Sequence, residues 1–255
     1  MRKKYLPIGV FDSGAGGITV LKACVDVLPN ENFIYYGDTK NSPYGNLSDQ
    51  EITELTFYAA DKLVSMGVKS VVIACNTATA AAINALRAKH NEIRIIGIEP
   101  AIKPACLAVD GKVLVLLTQA ASRQAKFRDL VEKYGLEKVI VYPLQDLAQK
   151  IEQNIQDFSK LKPYIFDVLK PYQNGDIEAV VLGCTHYIFV KDIIAQVFPD
   201  ALLFDGNVGL AKNLKNVLSK SDLLNDQNQK GFVEFYSSDP KYQIIYQELW
   251  DKIHK

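Results

Sequence analysis

Two short apolar stretches of this chain end in a thiol. In "VVIACNTATA" (71–80), Val71, Val72 and Ile73 run into Ala74, Cys75, Asn76 and Thr77. In "VVLGCTHY" (180–187), Val180, Val181 and Leu182 run into Gly183, Cys184, Thr185 and His186. Each apolar run reads as the end of a buried strand, with polar residues opening the next segment. Cysteine often serves simply as a small buried hydrophobe, and Cys24 and Cys106, which lack polar companions, fit that role. Cys75 and Cys184 differ. Hydroxyl and amide groups follow each one where a helix is expected to begin, and a helix N-terminus lowers the pKa of a thiol. His186, two positions past Cys184, can tune that thiol or act as an acid.

Two thiols facing one pocket suit the inversion of a carbon centre. Removing the α-proton of an amino acid from one face and returning a proton to the other needs two acid–base groups, one thiolate and one thiol. Modest tuning makes either form of cysteine accessible near neutral pH. Ser13, Asn76, Thr77, Thr185 and the Tyr44–Gly45 backbone are candidates to hold the carboxylates and ammonium of such a substrate. The segment "FDSGAGG" (11–17) has glycines at 14, 16 and 17, which match neither the dinucleotide fingerprint nor the P-loop with its lysine. The glycines are read instead as letting backbone N–H groups approach a small anion, with the Ser13 hydroxyl beside them. Asp12 would repel that anion. It is read as a group that orients a neighbour or accepts its proton, the alternative being a helix N-cap.

The elements that must position these groups alternate. Strands are expected at 8–11, 32–38, in "VKSVVIAC" (68–75), "EIRIIGIEP" (92–100), "KVLVLLT" (112–118), "KVIVYP" (138–143), "EAVVLGC" (178–184), "ALLFDG" (201–206) and "FVEFYSS" (232–238). Helices fall between them. Ser48 and Glu51 form a capping box for one that carries Ile52, Leu55, Ala59, Leu63 and Met66 on a single face and stops at Gly67. "SRQAKFRDLVEKYG" (122–135) reads as one helix, and "SKSDLLNDQNQKG" (219–231) as a polar linker. Short apolar strands alternating with helices predict an α/β protein with mainly parallel sheets covered on both faces. Ser13 and Thr118, like Cys75 and Cys184, follow matching strands at similar separation. This predicts two pseudo-symmetric α/β domains with the site in the cleft between them, beyond the carboxyl ends of the strands. The expected boundaries are 1–97 with 207–255 for the first domain and 98–206 for the second.

Composition bounds the partners. The 255 residues carry 29 Lys+Arg against 29 Asp+Glu, so no basic excess points to nucleic acid or an anionic membrane surface. The first apolar stretch breaks at Gly9, Asp12 and Gly14, too short for an export signal, and a cytoplasmic location is expected. Four cysteines without a C-x-x-C spacing argue against a structural zinc site, and a reducing compartment argues against disulfides.

Five ordered motifs add a resemblance that runs over nearly the whole chain: "IGVFDSGAGGITVL" (8–21), "YYGDTKNSPYG" (35–45), "VVIACNTATA" (71–80), "IGIEPA" (96–101) and "GCTHY" (183–187). Together they resemble the glutamate racemases of the aspartate/glutamate racemase superfamily. The resemblance implies interconversion of L- and D-glutamate without a cofactor, supplying D-glutamate for peptidoglycan, by a protein that is usually a homodimer. It implies that Cys75 acts on the D-enantiomer and Cys184 on the L-enantiomer, assisted by Asp12 and His186 respectively. It assigns Asp12, Ser13, Tyr44, Gly45, Asn76, Thr77, Thr118, Thr185 and His186 to the substrate pocket, with Glu152 in "YPLQDLAQKIEQ" (142–153) as the acidic partner of the histidine. The chain departs from the family between 117 and 127, where Ala121 stands in place of a second threonine, and at Lys40–Asn41, where the family usually has Ala-Arg. Losing one hydroxyl bond to a carboxylate costs about 1 kcal/mol. An aspartate or broader amino-acid racemase, a non-catalytic amino-acid-binding relative, and a cysteine hydrolase using Cys184 and His186 are the other readings. The hydrolase leaves Cys75 without a task.

Overall fold

Strands β1 (Ile8–Asp12), β2 (Phe33–Gly37), β3 (Ser70–Ile73) and β4 (Arg94–Gly97) come first in the chain. Then follow β5 (Lys112–Leu117), β6 (Val139–Pro143), β7 (Ile177–Leu182), β8 (Leu202–Asp205) and β9 (Val233–Ser237). The computed structural model describes residues 3–254 except 136, 145, 174 and 175. Among these residues the strands form a five-stranded sheet of order β4-β3-β1-β2-β9 and a four-stranded sheet of order β6-β5-β7-β8. Every pairing is parallel. The helices are α1 (Gly17–Val27), α2 (Asp49–Ser65), α3 (Asn76–Lys89), α4 (Ile102–Ala108), α5 (Gln119–Arg123) and α6 (Ala125–Tyr134). They continue with α7 (Leu147–Gln153), α8 (Lys162–Leu169), α9 (Lys191–Val197), α10 (Asn207–Lys220) and α11 (Lys241–Ile253).

Burial on both faces explains the unbroken apolar strands. In β1, Val10 faces the core shared with Ile18, Leu21, Leu214, Tyr246 and Trp250, while Phe11 faces Ile52, Leu63 and Ile73. In β5, Leu114 and Leu116 join Ile151, Val180 and Tyr187, and Val113 and Val115 join Phe127 and Val181. This is the period-two alternation of a strand, with apolar residues on both faces because helices cover each one. β9 pairs with β2, so the tail of the chain completes the first sheet, and α11 packs on it.

The local rules hold in α2. The Ser48 Oγ accepts the Glu51 N–H at 3.3 Å, Glu51 Oε2 accepts the Ser48 N–H at 2.9 Å, and Gly67 follows the helix at φ +80°. Its buried face is Ile52, Thr56, Ala59, Ala60 and Leu63. Thr56 joins because its hydroxyl donates to the Ile52 carbonyl at 2.6 Å, which removes the cost of burying it. Two expected elements differ. The helix expected over 122–135 is broken into α5 and α6, because Gln124 is extended (φ −73°, ψ 137°) and Thr118 caps a short helix of its own. The linker begins later than expected, since α10 carries Ser219 and Lys220.

A buried ion pair lies away from the strand ends where the cysteines sit. Lys69 and Glu31 are almost wholly shielded and bonded to each other, Lys69 Nζ donates to the Lys4 carbonyl at 2.5 Å, and Glu31 Oε1 accepts the Asn225 N–H at 2.8 Å. The pair ties the chain entering β1, β2 and β3 to the segment before β9. Removing one partner of such a pair leaves an uncompensated buried charge. Lys69→Met is therefore expected to lower the unfolding free energy by about 3–5 kcal/mol, read from urea or guanidinium midpoints.

Candidate active site

The register brings the chemistry to neighbouring strand ends. Phe11 of β1 pairs with Ile73 of β3, so Asp12 and Cys75 leave the first sheet side by side. Leu116 of β5 pairs with Leu182 of β7, which does the same for Thr118 and Cys184 in the second. Cys75 is the N-cap of α3: its sulfur accepts the Ala78 N–H at 3.5 Å, and its thiol donates to Ser13 Oγ at 3.5 Å. The helix N-terminus does not win here. Burial and the neighbouring Asp12 charge push the Cys75 thiol up to about 12, against the smaller pull of the Ala78 N–H and Ser13. The lowered thiol pKa expected from the sequence is thus reversed for Cys75. Desolvation of the charged form outweighs the helix terminus.

Asp12 is fully buried. Its Oδ1 accepts the Gly14 N–H at 2.9 Å, and its Oδ2 accepts the Thr185 hydroxyl at 3.1 Å from the other half of the molecule. Burial raises its pKa, although His186 and these two donors oppose the rise. It caps the loop after β1 rather than α1, whose N-cap is Gly16.

Cys184 lies two residues past β7 and is followed by a short 3-10 segment, Thr185–Val190, in place of the expected α-helix. Its Sγ lies 3.7 Å from His186 Nδ1. The other imidazole nitrogen, Nε2, lies 2.7 Å from Glu152 Oε1 on α7. Burial works to lower the His186 pKa, but the bonds to Cys184 and Glu152 outweigh it and hold the imidazole well above its ordinary range. Glu152 Oε1 also accepts the Ala15 N–H at 2.7 Å. Its Oε2 is buried without a hydrogen-bond partner in the protein.

The loop N–H groups read from the sequence as a grip for a small anion are therefore committed to the chain's own carboxylates: Gly14 to Asp12, Ala15 to Glu152. The glycines serve this closeness. A Cβ on Gly14 would collide with Glu152 Oε1, and one on Gly16 would lie 2.6 Å from His186 Nδ1. Asp12, Ser13, Cys75, Thr185, His186, Cys184 and Glu152 thus meet across the two sheets. Thr77 and Thr118 meet beside them, hydroxyl to hydroxyl at 2.9 Å, and Thr118 Oγ1 also accepts the Ala121 N–H at 3.2 Å. A Cβ on Gly45 would be 3.1 Å from Thr118 Cβ. The Tyr44 hydroxyl donates to Asp38 Oδ2 at 2.7 Å, and burial with the adjacent Asp38 keeps it protonated.

Asn76 stands apart from the thiols' hydrogen bonds. Its buried Oδ1 has no protein partner, and the residue borders a cavity of about 800 Å³ shared with Arg87, Lys103, Lys126 and Phe204. That cavity touches neither thiol, so the paired cysteines and the His186–Glu152 pair mark the site. Among the described residues no group of three or more His, Cys, Asp and Glu side chains is arranged to hold a metal ion. No helix among them is long and apolar enough to cross a membrane. Sequence reading missed Ala15, whose contribution is a backbone N–H, and Asp38, for which the "GD" at the end of β2 was the available signal.

The chain is similar to known proteins over nearly its whole length. The sequence pattern of the family described as Asp/Glu/Hydantoin racemase matches residues 13–212. A glutamate racemase of Clostridium acetobutylicum is 47% identical over 240 residues, covering 93% of this chain and 94% of its own. One from Clostridium botulinum is 42% identical over 248 residues, covering 96% of each. The crystal structure of glutamate racemase from Francisella tularensis in complex with D-glutamate superposes with a TM-score of 0.83 at 29% identity, over 97% of this chain and 94% of that one. The fold and these relatives together mark an amino-acid racemase, an isomerase. The chain belongs to the Asp/Glu/Hydantoin racemase family.

The His186–Glu152 pair makes a prediction in pH. Because the His186 pKa is raised, the stability it contributes is complete below its ordinary value of about 6.5 and is lost as pH rises through the folded value. Glu152→Gln removes the opposing charge. The NMR titration midpoint of the imidazole is expected to fall, and the stability gap between wild type and variant to narrow as pH rises through the wild-type folded value.

Proposed function

We propose that this chain interconverts L- and D-glutamate by a two-base mechanism in which Cys75 and Cys184 act from opposite faces of the α-carbon. The observation that carries the reading is the unlike pair of strand-end thiols: Cys75 pushed up to about 12, Cys184 beside a histidine held well above its ordinary range. In the L-to-D direction Cys184 acts as the thiolate, with the His186 cation as counter-charge. It takes the α-proton and becomes a thiol, leaving a carbanion whose charge spreads into the α-carboxylate. Cys75 gives its proton to the other face and becomes a thiolate. The reverse reaction, or proton exchange with water, restores the starting state. Each proton removed is matched by one delivered, and the chain supplies both groups.

Asp12 holds the loop beside Cys75 and, by its negative charge, favours the protonated donor. Glu152 keeps the charge on His186. The Thr77–Thr118 pair, with Ser13 and Thr185, opens to receive the carboxylates, and Ala121 leaves one fewer hydroxyl there than the family pattern has. Supply of D-glutamate for peptidoglycan, a cytoplasmic location and a homodimer complete the reading, resting on the resemblance and on the glutamate racemases to which the chain is similar.

The test is proton NMR with L-glutamate and, separately, D-glutamate in D₂O without added cofactor. Loss of the α-proton signal, with the circular dichroism of the L-glutamate reaction decaying to zero, is expected. An unchanged α-proton with saturable binding would leave a binding protein instead. L-Aspartate in the same assay measures how strict the pocket is. Cys75→Ser and Cys184→Ser, each replacing a thiol by a far weaker acid, are each expected to lower racemisation by at least about 10²-fold. Near-normal activity in either variant would sink the two-thiol assignment.

A further inference from the structure

Tyr35 lies in the middle of β2, fully buried, with its hydroxyl donating to the Gly14 carbonyl at 2.6 Å. That carbonyl and the Ala15 N–H are the two ends of one peptide unit. The Ala15 N–H donates to Glu152 Oε1 at 2.7 Å, and the same oxygen lies 2.7 Å from His186 Nε2. His186 Nδ1 then faces Cys184 Sγ at 3.7 Å. The chain of bonds starts in the five-stranded half and ends at the thiol of the four-stranded half. A donor on a carbonyl polarises its amide and strengthens the N–H at the other end, so the links reinforce one another.

The ring is built in. It packs edge-on against Tyr246 at 5.2 Å between centroids and tilts against Phe235 at 6.0 Å. Gly17 lets the hydroxyl come under the loop, since a Cβ there would be 2.9 Å from the Tyr35 oxygen. On the other side, a Cβ on Gly14 would strike Glu152. The loop is held between the tyrosine hydroxyl and the glutamate carboxylate, with its 14–15 peptide oriented by both. Burial keeps the Tyr35 hydroxyl protonated and therefore a donor.

We infer that Tyr35 is a positioning residue for the Cys184 side of the reaction, acting through the Gly14–Ala15 peptide on Glu152 and His186. The inference rests on the two-thiol reading above. It makes the effect of Tyr35 unequal for the two proton transfers, although the residue belongs to the same half of the molecule as Cys75.

The two enantiomers have equal free energy, so kcat/KM must be the same in both directions and cannot carry the asymmetry. Isotope effects can. In Tyr35→Phe, which keeps the ring and removes the hydroxyl, kcat/KM is expected to fall about tenfold in both directions. The deuterium isotope effect with α-deuterated L-glutamate should rise, because abstraction by Cys184 becomes more limiting. With α-deuterated D-glutamate it should fall. Tyr246→Phe removes another buried hydroxyl, bonded to Thr39, and is expected to leave both isotope effects at wild-type values. Equal movement for both enantiomers in Tyr35→Phe, or the same asymmetry in Tyr246→Phe, would overturn the inference. If Tyr35→Phe is too unstable to assay, 3-fluorotyrosine at position 35 provides a stronger donor, and the asymmetry should shift in the opposite sense; no shift would overturn the inference. Wild-type protein that fails to exchange the α-proton would overturn the two-thiol reading and this inference together. Normal exchange by wild type with unaltered isotope effects in Tyr35→Phe overturns this inference alone.

Discussion

The Glu152 carboxylate receives the Ala15 N–H from one half of the molecule and faces His186 from its own half, all within the protein interior. A buried carboxylate is costly unless its oxygens are paired, and this one depends on a backbone donor carried by the other sheet. The close approach that results sets what the loop after β1 can be. Gly14 must lack a side chain to admit the carboxylate, and Gly16 must lack one to admit His186. Asp12 repeats the arrangement with the direction reversed, its carboxylate taking the Thr185 hydroxyl from the opposite half. The two halves are joined at the site by reciprocal acceptors, one carboxylate from each.

This reciprocity makes the two thiols electrically different. On the Cys75 side the nearest charge is the Asp12 carboxylate, and burial adds to its effect, so the proton stays on sulfur. On the Cys184 side stands a histidine whose pKa the bonds to Cys184 and Glu152 raise against burial. A single pocket with two equivalent thiols would have no reason to bind one proton in a defined place. Unequal surroundings supply that reason, by the same desolvation and charge effects that shift any buried group.

Much of the scaffold was readable from local pattern. The nine strands, the capping box at Ser48 and the stop at Gly67 follow from apolar runs, turn chemistry and capping, which act between near neighbours in sequence. The break at Gln124 was not readable, because the residues on either side suit a helix, and it shows only in the extended backbone of Gln124 and in the separate start that Thr118 gives α5. The tuning of Cys75 was misjudged for a related reason. A helix N-terminus is visible in the sequence, whereas full burial beside Asp12 is not.

Residue types and strand ends are local properties, so the class of fold, the two strand-end cysteines and the companions Asp12, Ser13, Thr77, Thr118, Thr185 and His186 were legible in the chain, whereas Glu152 was singled out only by the family resemblance. Tertiary structure decided which groups touch. It turned the glycines of "FDSGAGG" from an anion grip into clearance for Glu152 and His186, and it brought Tyr35 beneath the loop. The contacts that Glu152 and His186 make with the loop join residues more than a hundred positions apart, as Ala15 and Glu152 are. They depend on how two sheets are set against each other, and no periodicity within either sheet encodes that.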